Sequence, residues 1–223
     1  SHASHEMGHG YGLDHAFDMA YKKGCGGGGP GEYCDFWDPL GNPFWSVVTY
    51  FNNPNFGTAT CCGTAAQPSE QYDAGPGLNA VHLDELGWIP KGRKFTYNAP
   101  ELGKECTKKT VTLAALGHPG ADGYLEVQVP FGGTSDFYTI EYRHAAAWDR
   151  SIADTILIHT PQLKFGGTPS TTQSNLVDKS GKVLYSPGDV YWDPSFNYKM
   201  KVESFDGDTA KISLYRAEPE CKD

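Results

Sequence analysis

The second half of the chain carries its apolar residues in short alternating runs. Seven fall at 110–116, 124–129, 137–143, 155–160, 182–185, 198–204 and 209–215, between Gly-Gly, Pro-Gly and Asp-Gly turns. Successive side chains on a strand point to opposite faces, so this pattern predicts half-buried strands, and seven at such spacing predict an antiparallel β-sandwich. Ile140-Glu141-Tyr142-Arg143 is the plainest stretch, reading inward and outward in turn. The first half has another texture. Residues 78–88 place Leu78, Val81 and Leu86 near one helical face, with Gly87 as the stop. A second short helix is predicted over 3–10. The glycine run at 24–31 can only be a loop, and 57–77 is small and polar. The two textures meet near 100–106. That divides the chain into 1–100 and 105–223 and makes the fold class α+β.

Composition narrows the partners. The 223 residues suffice for one large or two small domains, and a net charge of -9 argues against nucleic acid or an anionic membrane as the main partner. No apolar run approaches the length of a transmembrane helix. Six cysteines (Cys25, Cys34, Cys61, Cys62, Cys106 and Cys221) form no C-x-x-C pair. An even count predicts three disulfides in an oxidising compartment, with buried free thiols as the alternative. Cys106 and Cys221 bracket the strand-rich half and form one expected pair. Cys61 and Cys62 are then expected to reach Cys25 and Cys34, in an order the sequence leaves open.

The chemistry is concentrated in the first fifteen residues, where H-E-x-x-H-x-x-G-x-x-H places His5, Glu6, His9, Gly12 and His15. His5 and His9 are four apart, so on a helix both can aim a ring nitrogen at one ion. Glu6 lies about a hundred degrees round from His5, beside the ion rather than on it, which suits a general base for metal-bound water. Gly12 takes the left-handed backbone that ends the helix and turns His15 inward as third ligand. Three imidazoles leave a fourth position for water, as in catalytic zinc sites. Met19 follows His15 too closely to lie beneath the ion. His82, in the helix at 78–88, is read as a packed or capping histidine. A fourth protein ligand, His82 or Asp18, would instead mean zinc held for structure.

This stretch resembles the zinc-binding consensus of the metzincin metallopeptidases. The order of later segments is similar to their gametolysin-like branch. Glu32-Tyr33-Cys34-Asp35 and Asp38-Pro39-Leu40-Gly41 stand for its Tyr-x-Asp and Met-turn segments, 78–88 for its Leu-Gly-Trp helix, and Glu141-Tyr142-Arg143 for a strand of its β-rich domain. The resemblance implies the C-terminal, zinc-helix part of a catalytic domain followed by the sandwich. It implies a secreted zinc endopeptidase acting on protein or peptide substrates, with Zn²⁺ on His5, His9 and His15 and Glu6 as base. Tyr33 and Tyr50 are available to the oxyanion, and aromatics of 36–51 are expected to wall the substrate pocket. Calcium fits the class, although no loop here has calcium spacing. The chain departs from the pattern twice. Leu40 stands where the Met-turn carries methionine, a volume-conserving change that costs under ~1.5 kcal/mol. The substrate-pairing sheet that precedes the zinc helix in metzincins is not matched, so a separate N-terminal chain of the same precursor is an expected partner. The rival reading is a fragment in which the sandwich is a binding or structural module.

Overall fold

The computed structural model describes residues 2–18, 20–21, 25, 29–41, 76–97, 108–131, 137–146, 149, 152–163, 172–177, 181–195 and 198–216. These residues are mostly β. A six-stranded sheet runs β1 (Ala16–Asp18), β7 (Thr172–Leu176), β6 (Thr155–Leu163), β5 (Phe137–Arg143), β4 (Glu126–Pro130), β2 (Lys94–Thr96). A four-stranded sheet runs β3 (Lys109–Ala114), β10 (Thr209–Arg216), β9 (Tyr198–Asp206), β8 (Val190–Asp193). Their inner faces share one core, in which Leu113, Val127, Ile140, Ile158, Met200 and Ile212 are buried. The α-helices among the described residues are α1 (His2–Gly10) and α2 (Ala80–Glu85).

The sandwich is therefore present, but it is not wholly antiparallel. β1 joins β7 in parallel and β2 joins β4 in parallel, so both edges of the larger sheet come from the first hundred residues. The expected division at 100–106 falls outside the described residues. The run at 182–185 forms no strand; Tyr185 makes an isolated bridge to Ile156. Four strands were not legible in the pattern. β1 and β2 are three residues long, and β8 is four. β7 reads Thr-Gln-Ser-Asn-Leu, yet all five residues are buried. Its polar side chains find partners there: Asn79 Nδ2 donates to Ser174 Oγ at 2.8 Å, and Thr172 Oγ1 donates to Glu85. A strand satisfied by hydrogen bonds carries no apolar signal.

β5 also corrects the alternation drawn for it. Glu141 and Arg143 are as buried as Ile140 and Tyr142, because α2 packs across β5, β6 and β7 and covers the second face of the sheet. Asn79 caps α2 by accepting from His82 N at 3.0 Å. Ala80 N, in the first turn, donates to Glu141 Oε2 at 2.5 Å, so a strand carboxylate sits at the positive end of the helix. Gly87, with φ 70°, turns the chain away and leaves Trp88 exposed.

Candidate metal centre

α1 ends in a paired set of backbone bonds. Leu13 N donates to Gly8 O at 3.1 Å and Gly12 N to His9 O at 2.9 Å, with Gly12 at φ 86°. This is a Schellman closure, and it needs a residue that tolerates left-handed backbone. The chain then reverses into β1, where Ala16 N bonds Leu40 O at 3.0 Å. His15, just before that bond, comes back against the helix. The three rings converge: centroids are 4.6 Å apart for His5 and His9, 4.7 Å for His9 and His15, and 5.4 Å for His5 and His15. One nitrogen from each lies within 4.8 Å of the others, and this is the one such histidine, cysteine or carboxylate cluster found among the described residues.

The other nitrogen of each ring is already committed. His5 Nδ1 donates to Pro39 O at 2.8 Å, His9 Nδ1 to Leu13 O at 2.9 Å, and His15 Nδ1 to Glu32 Oε1 at 2.7 Å. Carbonyl oxygens only accept, so the δ nitrogens of His5 and His9 carry the protons. In that tautomer the lone pair of the ring is on Nε2. Yet the Nε2 atoms of His5 and His9 face each other at 3.0 Å. Two lone pairs at that distance repel unless a proton or a cation lies between them. A tetrahedral zinc with bonds near 2.1 Å holds its nitrogen ligands about 3.4 Å apart, so the donor set fits the ion. Burial holds the His15 imidazole below its usual range against the pull of Glu32, and His9 and His5 add to the lowering. That keeps it in the ligating, neutral form.

The floor of the site is the turn at 35–41. Asp35 Oδ1 accepts from Trp37 N at 2.9 Å and Asp38 Oδ1 from Leu40 N at 2.7 Å, two Asx turns in succession. Gly41 closes them; a β-carbon there would stand 1.7 Å from Asp35 O, so no other residue fits. Leu40 is fully buried, packed with Leu13 and Ala16, and its Cδ2 lies 2.6 Å from where a β-carbon on Gly8 would be. The leucine thus sits in a notch of the helix that carries His5 and His9, while Pro39 holds His5 directly.

Beneath the turn lies a second set of charged groups. Asp38 Oδ2 accepts from Asn79 N at 2.6 Å and from His82 Nδ1 at 3.1 Å. Burial pushes the Asp38 carboxyl up, but His82 and the amides of Asn79 and Leu40 outweigh it and hold the carboxyl below its usual range. His159 Nε2 donates to Asp35 Oδ2 at 3.1 Å. Arg143 bonds Glu141 Oε1 at 2.7 Å and Asp149 Oδ1 at 2.9 Å. His82 therefore orients Asp38 and is not in the histidine cluster. Nor is Asp18, which accepts from Ala20 N.

Glu6 is exposed on α1, and its charge, after burial and Glu32, helps to raise the Tyr33 hydroxyl. Tyr33 lies at the site: its ring is 4.1 Å from that of His15 and 5.9 Å from that of His5. Tyr50 lies outside the described residues, as do Cys61, Cys62, Cys106 and Cys221. One expectation is corrected. Cys25 bonds to Cys34, not to Cys61 or Cys62, because Cys25 N donates to Glu32 O and folds the loop back on itself. Of the aromatics expected to wall the substrate pocket, Phe36 and Trp37 are buried, Trp37 against Ile152, Leu157 and Leu176, and line a different cavity with Tyr21 and Leu184, while those of 42–51 lie outside the described residues. A cavity of about 500 Å³ is lined by Met7, Gly8, Tyr11, Leu78 and Trp88 among others, and by none of the three histidines. No fixed spacing joins Glu32 to His15, so the sequence carries no signal of their pairing. Comparison with protein-family models, curated proteins and solved structures finds no match.

Proposed function

We propose that the chain is a secreted, zinc-dependent endopeptidase of the metzincin type, acting on protein or peptide substrates. The observation that carries this reading is the convergence of three imidazole nitrogens whose opposite nitrogens are each held by an acceptor. His5, His9 and His15 would hold Zn²⁺. Bound there, zinc would supply an acidified water and polarise the scissile carbonyl. Glu6 takes a proton as the water oxygen adds to the carbonyl carbon. It gives that proton to the amide nitrogen as the carbon–nitrogen bond breaks, and so ends ionised. Tyr33 keeps its phenolic proton, raised by burial and by the acidic neighbours Glu32, Glu6 and Asp14, and is the available donor toward the carbonyl oxygen. The Cys25–Cys34 disulfide suits an oxidising compartment, and no described helix is long and apolar enough to cross a membrane.

The test is Glu6→Gln, assayed for bound metal and for cleavage of a casein substrate. The variant is expected to keep zinc and to lose about 10²-fold or more in rate. Undiminished cleavage would overturn the assignment of the base. A second role is favoured by exposed Trp192 and Val190 on the edge strand β8, where the sandwich offers an apolar stripe for binding. Retention on insoluble polysaccharide that survives Glu6→Gln and fails in Trp192→Ala would support it.

A further inference from the structure

His15 is the ligand that α1 does not carry. His5 and His9 are placed by one helix, and their δ nitrogens bond main-chain oxygens that a side-chain substitution cannot delete. His15 stands on the connection between the Schellman closure and β1. Its δ nitrogen meets a side chain, Glu32, across 17 residues of sequence. Glu32 is itself fixed on several sides. Its Oε2 accepts from Gly29 N at 2.6 Å, its main chain bridges Phe17 of β1, and its carbonyl accepts from Cys25 N at 2.8 Å. The Cys25–Cys34 bond closes the loop that contains it.

The next residue explains how the loop grips one ring from two directions. Consecutive side chains on extended backbone point to opposite sides. Tyr33 has φ 64°, the one non-glycine residue in the left-handed region among those described. That conformation breaks the alternation. Glu32 reaches the edge of the His15 ring while Tyr33 lies at 4.1 Å from its centroid. A bulky residue pays about 1 kcal/mol or more to sit there, and such backbone persists when its surroundings over-determine it.

We propose that Glu32 is the positioning residue of the metal centre: it holds the His15 ring in the ligating orientation and so sets the affinity of the three-histidine site for zinc. This rests on the zinc reading above and adds to it the residue that completes the site. A carboxylate on the far nitrogen of a ligating imidazole fixes its tautomer and makes it a stronger donor, and its loss typically weakens metal binding ten- to a hundredfold, as an order of magnitude.

The experiment is a competition titration of Zn²⁺ against a chromophoric chelator, with Co²⁺ absorption on the same proteins. The wild-type chain, Glu32→Gln, Glu32→Ala and, as a marker of the site itself, His9→Ala are compared. Glu32→Ala is expected to weaken zinc by roughly 10–100-fold and to alter the cobalt d–d band. Glu32→Gln, whose amide oxygen still accepts from Nδ1, is expected to recover part of that loss. Circular dichroism of the metal-free proteins verifies that each variant is folded, and Glu32→Gln carries the test if Glu32→Ala is not. Equal zinc affinity and an unchanged cobalt spectrum in a folded Glu32 variant would overturn the positioning role while leaving the zinc site standing. Zinc affinity that His9→Ala does not diminish would overturn the site and this inference with it.

Discussion

Two groups of histidines lie on either side of the turn at 35–41, and they are wired in opposite ways. His5, His9 and His15 bond outward through their δ nitrogens and turn their ε nitrogens on one another. His82 and His159 turn a nitrogen on a single carboxylate, Asp38 and Asp35. The first arrangement brings the Nε2 atoms of His5 and His9 to 3.0 Å, a contact that a proton or a cation between them would relieve. The second has a carboxylate as counter-charge at each ring, while His82 Nε2 and His159 Nδ1 stay buried without a hydrogen bond. Every ring in both sets has an acceptor on one nitrogen; what differs is that the remaining nitrogens of the first set converge and those of the second do not. The deep set is fully buried; in the upper set His5 is buried and His9 and His15 are half-buried.

That contrast can be attacked from either side. The largest effect is expected in the deep set. Arg143→Met removes the cation facing Glu141 and Asp149, all buried, and should cost about 3–5 kcal/mol in chemical denaturation, with or without zinc. A cost below about 1 kcal/mol would mean that the network does not hold the fold. In the upper set, His9→Ala should leave denaturation of the metal-free chain nearly unchanged while zinc affinity falls by more than about a hundredfold. Parallel losses in both assays would erase the distinction.

The pH dependence separates them further. Glu126, buried on β4 with Asp84 close by, has its carboxyl pushed up to about 8, chiefly by burial. Its folded pKa exceeds the unfolded value. Its contribution is therefore complete below about pH 4.5 and is lost as pH rises through about 8, with a slope near 1.4 kcal/mol per unit at most. Glu126→Gln should flatten stability over that window, and an unchanged profile would refute the burial argument. Asp38 runs the other way. Its lowered pKa gives stability above the unfolded carboxylate range that is lost as pH falls through the folded value, and Asp38→Asn should blunt acid unfolding. The smallest effect is expected at Leu40→Met. The volume is conserved, so a change under ~1.5 kcal/mol and intact zinc binding are expected.

How much of this was legible follows from where each constraint acts. The three histidines and Gly12 obey helix period and helix termination, which are local rules, and their spacing is in the sequence. The strands of the sandwich core were legible because apolar alternation is also local. β7 was not, since its buried residues are satisfied by partners as distant in sequence as Asn79. Glu141 and Arg143 looked solvent-facing because the helix that buries them comes from sixty residues upstream. The Cys25–Cys34 bond was misjudged because the reach of the loop depends on how Glu32 folds it back. Tyr33 gave no sign at all, since nothing in a tyrosine announces left-handed backbone.

The notch that Gly8 offers to Leu40 has a mechanical consequence. Were the nine-residue helix to roll about its own axis, a ring nitrogen about 6 Å from that axis would sweep ~1 Å for every ten degrees. Metal–ligand distances tolerate about 0.2 Å, which corresponds to roughly two degrees. Leu40, packed where a β-carbon on Gly8 would be, acts as a key in a slot, and in the proposed zinc site the angular play it permits would set how sharply ions of different radius are distinguished.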